Sequence, residues 1–430
     1  MSITHASRLY LRPVAASTVK SKCLSLQLML RNSLIAPTGK GLYAILPLGQ
    51  RVVDKLVKIV DTELAAIGAQ KAEVPALATA DIWQRSERLS AMGQEMFRLK
   101  DRHDVEYCLQ PTAEEHFTTL VNGLGNVKPA ALPIMLYQTS QKFRDEMSPR
   151  FGLLRSRQFL MNDLYTFDVD QPSAQITYDR VDAMYRRLFE DILDLRQHVL
   201  RVSASSGAMG GDVSHEFHLP NASAEDALLE CGHCDSRFKK DEHPGTSECP
   251  SCQKALKTIE TVEVGHTFQL GDRYSKIFEA TSPSNTPYFM CCFGLGITRI
   301  IAASIDVLST ASTAMRLPKA IAPFKLAIIL PKTDTPNAQF VKSFIPQLTH
   351  LPNLNGEILL DDRFDKSIGR RINEANQLGI EHVLVASSHK YVDPTEVQRV
   401  EYFKTSAGSA SIDKVGALTH GEIFDIFSKV

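Results

Sequence analysis

Residues 143–168 constrain this chain more than any other stretch. They read Phe-Arg-Asp-Glu-Met-Ser-Pro-Arg-Phe-Gly-Leu-Leu-Arg-Ser-Arg-Gln-Phe-Leu-Met-Asn-Asp-Leu-Tyr-Thr-Phe-Asp. Arg144, Arg150, Arg155 and Arg157 fall within 14 positions, yet Phe143, Phe151, Phe159, Leu160, Tyr165 and Phe167 sit between and beyond them. A solvated charge run would not carry those apolar residues. The pattern predicts two strands joined by a loop that turns at Pro149 and Gly152. Arginines on a strand facing a cavity aim planar cations at an anion, most often phosphate. An amphipathic hairpin whose arginines snorkel to solvent is the competing reading.

Composition sets outer bounds. The chain has 430 residues, 43% of them hydrophobic, enough for a large core and two or three domains. Its net charge of −1 leaves any nucleic-acid contact to local patches. No apolar run of about 18 residues is present, so no transmembrane helix is expected. Eight cysteines without regular pairing argue for a reducing compartment. Residues 1–22 hold Arg8, Arg12, Lys20 and Lys22 with several Ser and Thr and no acid, as in a mitochondrial transit peptide; an unfolded tail is the alternative.

From Ser25 the spacing predicts a helix to Ile35, then a strand over 42–46 stopped by Pro47. A long helix follows over 50–67 with Val52, Val53, Leu56, Val57, Val60 and Leu64 on one face. A strand to Val74 comes next, then two strands around Asp101–Asp104. Pro111-Thr-Ala-Glu114 makes a helix start with Thr112 as N-cap. A helix is expected over 174–195. Glu263 to Gly271 alternates like a strand, and Met290 to Arg299 reads as strand, glycine turn, helix. From Ala322-Pro323 onward, strands alternate with helices, which implies a parallel or mixed sheet.

Cys231-x-x-Cys234 and Cys249-x-x-Cys252 are separated by 14 residues. Four thiolates in that spacing can close a tetrahedral zinc site with no open position, a structural role; a degenerate site or a redox pair is the alternative.

Phe-Arg-Asp-Glu, a loop, then Arg-Ser-Arg-Gln-Phe resembles motif 2 of class II aminoacyl-tRNA synthetases, and the continuation through Phe167 resembles the prolyl enzymes of bacterial and mitochondrial type. The helix and strand over about 49–75 resemble motif 1, and 290–303 resemble motif 3, with Cys291 and Phe293 departing from the usual Gly-Cys-Tyr-Gly. The resemblance implies an α/β chain: an α+β catalytic domain over 23–322 built on an antiparallel sheet flanked by helices, a small zinc insert over 228–256, and an anticodon-binding α/β domain over 323–430. It implies a homodimer that uses ATP and Mg²⁺ to join L-proline to tRNA(Pro) in the mitochondrial matrix.

Residue by residue, the resemblance gives Arg144 and Arg299 the catalytic charges. Glu146, Arg155, Phe159 and Gln269 join them around ATP. Thr112, Glu114, Arg144, Met161, Asp163, His266, Phe268 and Cys292 form the proline pocket. Arg363, Lys366, Arg370 and Arg371 are candidate RNA contacts, or simply a solvated helix face. Only 45 residues separate Phe217 from Glu263, so the editing domain of bacterial relatives is not expected here. Competing readings are a threonyl, seryl or glycyl enzyme, and a catalytically inactive RNA-binding accessory protein.

Overall fold

The computed structural model describes residues 3–11, 21–125, 127–223, 226–332, 334–386, 397–406 and 408–429. Two compact units emerge: one holds residues 37–43 and 53–307, the other 1–36, 44–52 and 308–430.

The larger unit is built on an antiparallel sheet. Among the described residues its path runs Leu200–Ser203, Val213–Pro220, Leu256–Gly271, Phe289–Gly296, Gln158–Asp168 and Ile134–Phe143, and a short parallel strand, Gln70–Lys71, closes it. The long hairpin of the arginine-rich stretch pairs Ile134 with Phe167 through to Phe143 with Gln158. Its loop turns at Phe151 and Gly152, both at positive φ (62° and 66°). The helix Gln171–Arg187 starts at Asp170, which forms a capping box with Ser173. It covers one sheet face: Tyr178 bonds Thr267 at 2.6 Å, and Tyr185 packs edge-on to Phe217 and Phe293. The opposite face carries a core with Phe117 stacked on Tyr165 at 4.7 Å.

Two local expectations change. Pro47 does not merely stop a strand; it opens the helix Pro47–Ala66, since the first helical position needs no N–H donor. Thr112 is not an N-cap. The helix Glu114–Asn122 has Ala113 there without a side-chain cap, and the Thr112 hydroxyl donates to the Glu114 carboxylate instead.

The second unit carries a mixed sheet ordered Thr4–His5, Ile358–Asp361, Leu326–Ile329, His382–Val385, Val400–Thr405, Ile412–Leu418. The first four strands are parallel and the last two antiparallel. The C-terminal stretch of this unit begins at 308 rather than 323; Arg316 bonds Asn376 Oδ1 at 2.7 Å and ties the segment before 323 to it. Residues 24–31, expected in the catalytic part, also belong here as the helix Leu24–Arg31.

The N-terminal segment was expected as a leader over 1–22, of which 1, 2 and 12–20 lie outside the described residues. Residues 3–8 do not form an unfolded tail. Thr4 and His5 pair with Leu359 and Leu360, Ala6 is buried, and Ser7 donates from backbone and hydroxyl to Asp362.

Candidate active site

Strand register assembles the site. Asp163, Gly294 and His266 are cross-strand neighbours, and so are Tyr165, Cys292 and Phe268. Side chains alternate across a strand, so this row and Phe159 and Met161 share one face. That face floors a cavity of about 260 Å³. Arg144, Phe159, Met161, Asp163, His266, Phe268, Cys292 and Arg299 line it, as does Thr112 from the opposite wall. Nine residues expected for proline or ATP, the two expected catalytic arginines among them, thus meet in one place from three separate strands, one helix and two loops.

One end is cationic. Arg299 lies in the first turn of the helix Ile297–Leu308, aimed by bonds from its Nε to the Leu154 carbonyl (3.1 Å) and from Nη1 to the Glu263 carbonyl (2.9 Å). Arg144 stands 5.3 Å from the Phe159 ring centroid, and its buried Nε has no hydrogen-bond partner. Burial, then the like charge of Arg299, pulls the Arg144 guanidinium below its usual pKa. Two cations facing a cavity, one of them under-satisfied, are a receptor for a polyanion. Gly294 and Gly296 line the same cavity, where a backbone without side chains lets a flat ligand approach.

The other end is anionic and layered. Asp163 is 1% exposed. Its Oδ2 accepts from Lys142 Nζ (3.0 Å), Gln138 (3.0 Å) and Tyr165 (2.8 Å), while its buried Oδ1 has no partner. Burial raises the Asp163 carboxyl, and those three donors only partly oppose it. Glu114 differs. Arg88 Nη1 donates to it at 2.8 Å, Thr112 at 2.9 Å and the Cys292 thiol at 3.2 Å. Burial pushes Glu114 up, but the Arg88 charge and hydrogen bonds reverse that and hold it below the usual carboxylate range. Arg88 is itself sandwiched near Trp83 (4.9 Å) and Tyr274 (5.6 Å) and also bonds Glu115. Glu114 is therefore not a lining residue. It supports Thr112 and Cys292, which are.

Several expected assignments need correction. Gln269 is one position from Phe268, so it lies on the helix face of the sheet, where it donates to Gln175 at 2.7 Å. Glu146 and Arg155 do not line the cavity; they pair with each other at 2.7 Å in the hairpin loop. In the second unit, Arg371 is 1% exposed and donates to the Asp361 carbonyl, so it cannot reach RNA. Arg363 pairs with Asp361 and Glu374, and Lys366 pairs with Glu374 at 2.9 Å. Arg370 alone of the four is exposed, with Glu374 at 3.1 Å.

Sequence reasoning missed Arg88, Lys142 and Glu263. Glu263 lines the cavity beside Arg299; burial would raise its carboxyl, but the hydrogen bond and charge of His266, then Arg299 and His218, hold it well below the usual range. Lys142 carried a signal: it stands four positions from Gln138 on one strand, so the two face the same side. Arg88 carried none, because its partners lie in a different element.

The four cysteines converge. Their sulfurs lie within 4.8 Å of one another, with Cys231 to Cys252 at 3.4 Å and Cys234 to Cys249 at 3.6 Å. A tetrahedron with zinc–sulfur bonds of about 2.3 Å has edges of about 3.8 Å, so the set fits a zinc ion.

An antiparallel sheet with two arginines over a cavity that also holds a buried carboxylate is the arrangement the comparisons address. Residues 97–308 match the family model for the tRNA synthetase class II core domain (G, H, P, S and T). The chain is 44% identical over 385 residues to the Rattus norvegicus protein named "Probable proline--tRNA ligase, mitochondrial", covering 87% of this chain and 80% of that one. It is 33% identical to the proline--tRNA ligase of Ehrlichia canis, covering 91% and 94%. The fold is similar to prolyl-tRNA synthetase of Cryptosporidium parvum complexed with L-proline and AMP, at TM-score 0.71 and 15% identity over 98% of this chain and 80% of that one. The chain belongs to the proline--tRNA ligase family of class II synthetases.

Proposed function

We propose that the cavity activates L-proline with ATP and passes the prolyl group to tRNA(Pro) in the mitochondrial matrix. The unpartnered Asp163 Oδ1 in a cavity that also holds Arg144 and Arg299 carries this reading. A buried carboxylate oxygen without a donor needs one, and the secondary ammonium of proline offers two N–H bonds. Phe268, Met161 and Cys292 wall the compact ring. The Thr112 hydroxyl, held by Glu114, is oriented toward the same amine.

The chemistry then needs no protein nucleophile. The proline carboxylate attacks the α-phosphorus of ATP, pyrophosphate leaves, and prolyl-adenylate forms. A 3′-terminal ribose hydroxyl of the tRNA next takes the prolyl group and AMP leaves. Arg144 would neutralise charge where carboxylate and α-phosphate meet, Arg299 would hold the distal phosphate, and Phe159 would stack on adenine. Glu146 and Arg155, paired with each other in the hairpin loop, are assigned to ATP by the resemblance alone. Mg²⁺ accompanies ATP in this reading, held by phosphate oxygens and water. Zinc held by Cys231, Cys234, Cys249 and Cys252 would act structurally, since the four thiolates leave no open position.

The 45 residues between Phe217 and Glu263 carry the cysteine cluster and two short strands, Asp226–Cys231 and Arg237–Lys239, among the described residues. That supports a chain without an editing domain, in which alanine rejection rests on the pocket. A homodimer through the 49–75 region, RNA contact through Arg370 and a matrix address complete this reading, and membership of the family supports it. The mitochondrial relatives support that compartment, while the pairing of residues 4 and 5 in a sheet argues that removal at residue 22 would cost an edge strand.

Amino-acid-dependent ATP–pyrophosphate exchange on the full chain, with proline and alanine side by side, tests the reading. Strong proline-dependent exchange is expected. Folded, zinc-loaded protein that exchanges with no amino acid would instead favour the RNA-binding accessory role.

A further inference from the structure

His266 and Phe268 are stacked, with ring centroids 3.8 Å apart and planes at 20°, and both line the cavity. An imidazole keeps such a position only if its nitrogens are fixed. Nε2 lies 2.6 Å from the Ser214 hydroxyl. Nδ1 faces two carboxylates, Glu263 at 3.2 Å and Glu216 at 3.7 Å. Glu216 is 3% exposed and belongs to no part of the cavity lining. His218 Nε2 meets its Oε2 at 2.6 Å, and Lys239 Nζ donates to its Oε1 at 2.8 Å.

Lys239 comes from outside the catalytic sheet's main path. It ends the strand Arg237–Lys239, which pairs with Asp226–Cys231 through three residue pairs. The turn of that hairpin runs from Cys231 to Cys234, one half of the thiolate cluster. Asp226–Cys231 is itself anchored by six residue pairs to the strand Leu256–Gly271, whereas Arg237–Lys239 pairs with it through only those three, and the thiolate cluster ties down the turn that joins the two. Glu216, Glu263 and His266 could by spacing hold a metal, but the Lys239 ammonium already sits on Glu216 as the cation.

We infer that Glu216 is a positioning residue of the amino-acid pocket, clamped by Lys239, and that the cysteine insert exists to deliver this clamp to His266. The insert then tunes proline binding without touching proline. The inference rests on the cavity being the proline site. It assigns the zinc insert a consequence: disturbing it weakens proline and leaves the nucleotide end alone.

Calorimetric Kd values for L-proline and, separately, for AMPPNP test this on the full-length protein, in wild type, Lys239→Met, Lys239→Arg, Cys234→Ser and the Lys239→Met/Cys234→Ser double variant. Losing a hydrogen bond to a charged group predicts about a tenfold weaker proline Kd for Lys239→Met, with AMPPNP within about twofold. Lys239→Arg should recover most of the loss. The double variant should be no worse than Cys234→Ser alone, because both break one relay. Unchanged proline binding in Lys239→Met, equal weakening of proline and AMPPNP, or multiplied effects in the double variant would each overturn the inference. Wild-type protein that binds AMPPNP but not proline would overturn the cavity assignment itself, and with it this inference; a null result confined to Lys239→Met leaves that assignment standing.

Discussion

Arginines stand in both units, and they differ in what they face. In the cavity, Arg144 lines the wall with a buried nitrogen that has no hydrogen-bond partner, and Arg299 is aimed by two backbone carbonyls with the Glu263 carboxylate beside it. Around the helix Ile368–Gln377, Arg363 and Lys366 are absorbed by Asp361 and Glu374, and Arg371, whose Nε is also buried without a partner, is 1% exposed and held by the Asp361 carbonyl. The two sets looked alike as letters. The difference teaches that a cation signals a ligand when its charge is left open over a cavity, and signals architecture when carboxylates of its own unit close it.

The largest effect should come from the open set. Arg144→Lys keeps the charge but loses the planar fork, so proline-dependent exchange should fall by about 10²–10³. Nothing in the fold depends on its partners, so thermal stability should hardly move. A large loss of stability would erase the distinction drawn here.

The closed set should behave inversely. Arg371→Met leaves the Asp361 carbonyl short of a buried donor, and should destabilise the protein by about 2–4 kcal/mol in a denaturant titration. Arg370→Ala, at the exposed position, should cost less than about 0.5 kcal/mol. tRNA affinity measured against salt should respond to Arg370→Ala and not to Arg371→Met. The reverse pattern would restore Arg371 as an RNA contact.

The smallest effect is a pH contrast between units. Burial, helped by Lys404, Lys319 and Lys325, pulls buried His382 down to about 4 in the second unit. Its unfolded value is near about 6.5, so the unfolded chain binds more protons between those values, and stability is lost as pH falls from 6.5 toward 4. In the larger unit, burial pushes Asp168 up to about 6. Stability from that group is therefore gained as pH falls through 6. Trp83, the sole tryptophan, reports the larger unit. Its unfolding midpoint should fall less on acidification than the backbone signal of the whole chain, by about 2–4 °C. Coincident shifts would contradict the assignment.

What the sequence made legible was whatever is encoded by spacing within one element. The loop and second strand within 143–168, the glycine turn before Arg299 and the paired cysteine knuckles all follow from local pattern; the first strand, Ile134–Phe143, was not read. Gln269 was also readable, since one step from Phe268 flips a side chain to the other face. What stayed hidden were pairings between elements. Arg88 meets Glu114 and Glu115 only because two helices pack, and Lys239 meets Glu216 only because the cysteine hairpin folds back. Residues 3–8 looked like a leader because composition cannot reveal that Thr4 and His5 find a free sheet edge.

The central claim is that Asp163 Oδ1 waits for the proline ammonium. The direct measurement is competition in the exchange assay by tetrahydro-2-furoic acid, a ring isostere with oxygen in place of the amine, against L-proline. A site built around a buried acceptor rejects a ligand lacking its donor, so the analogue should bind at least about a thousandfold more weakly. Equal binding of the two would mean that Asp163 does not receive the amine, and the cavity would have to be read again.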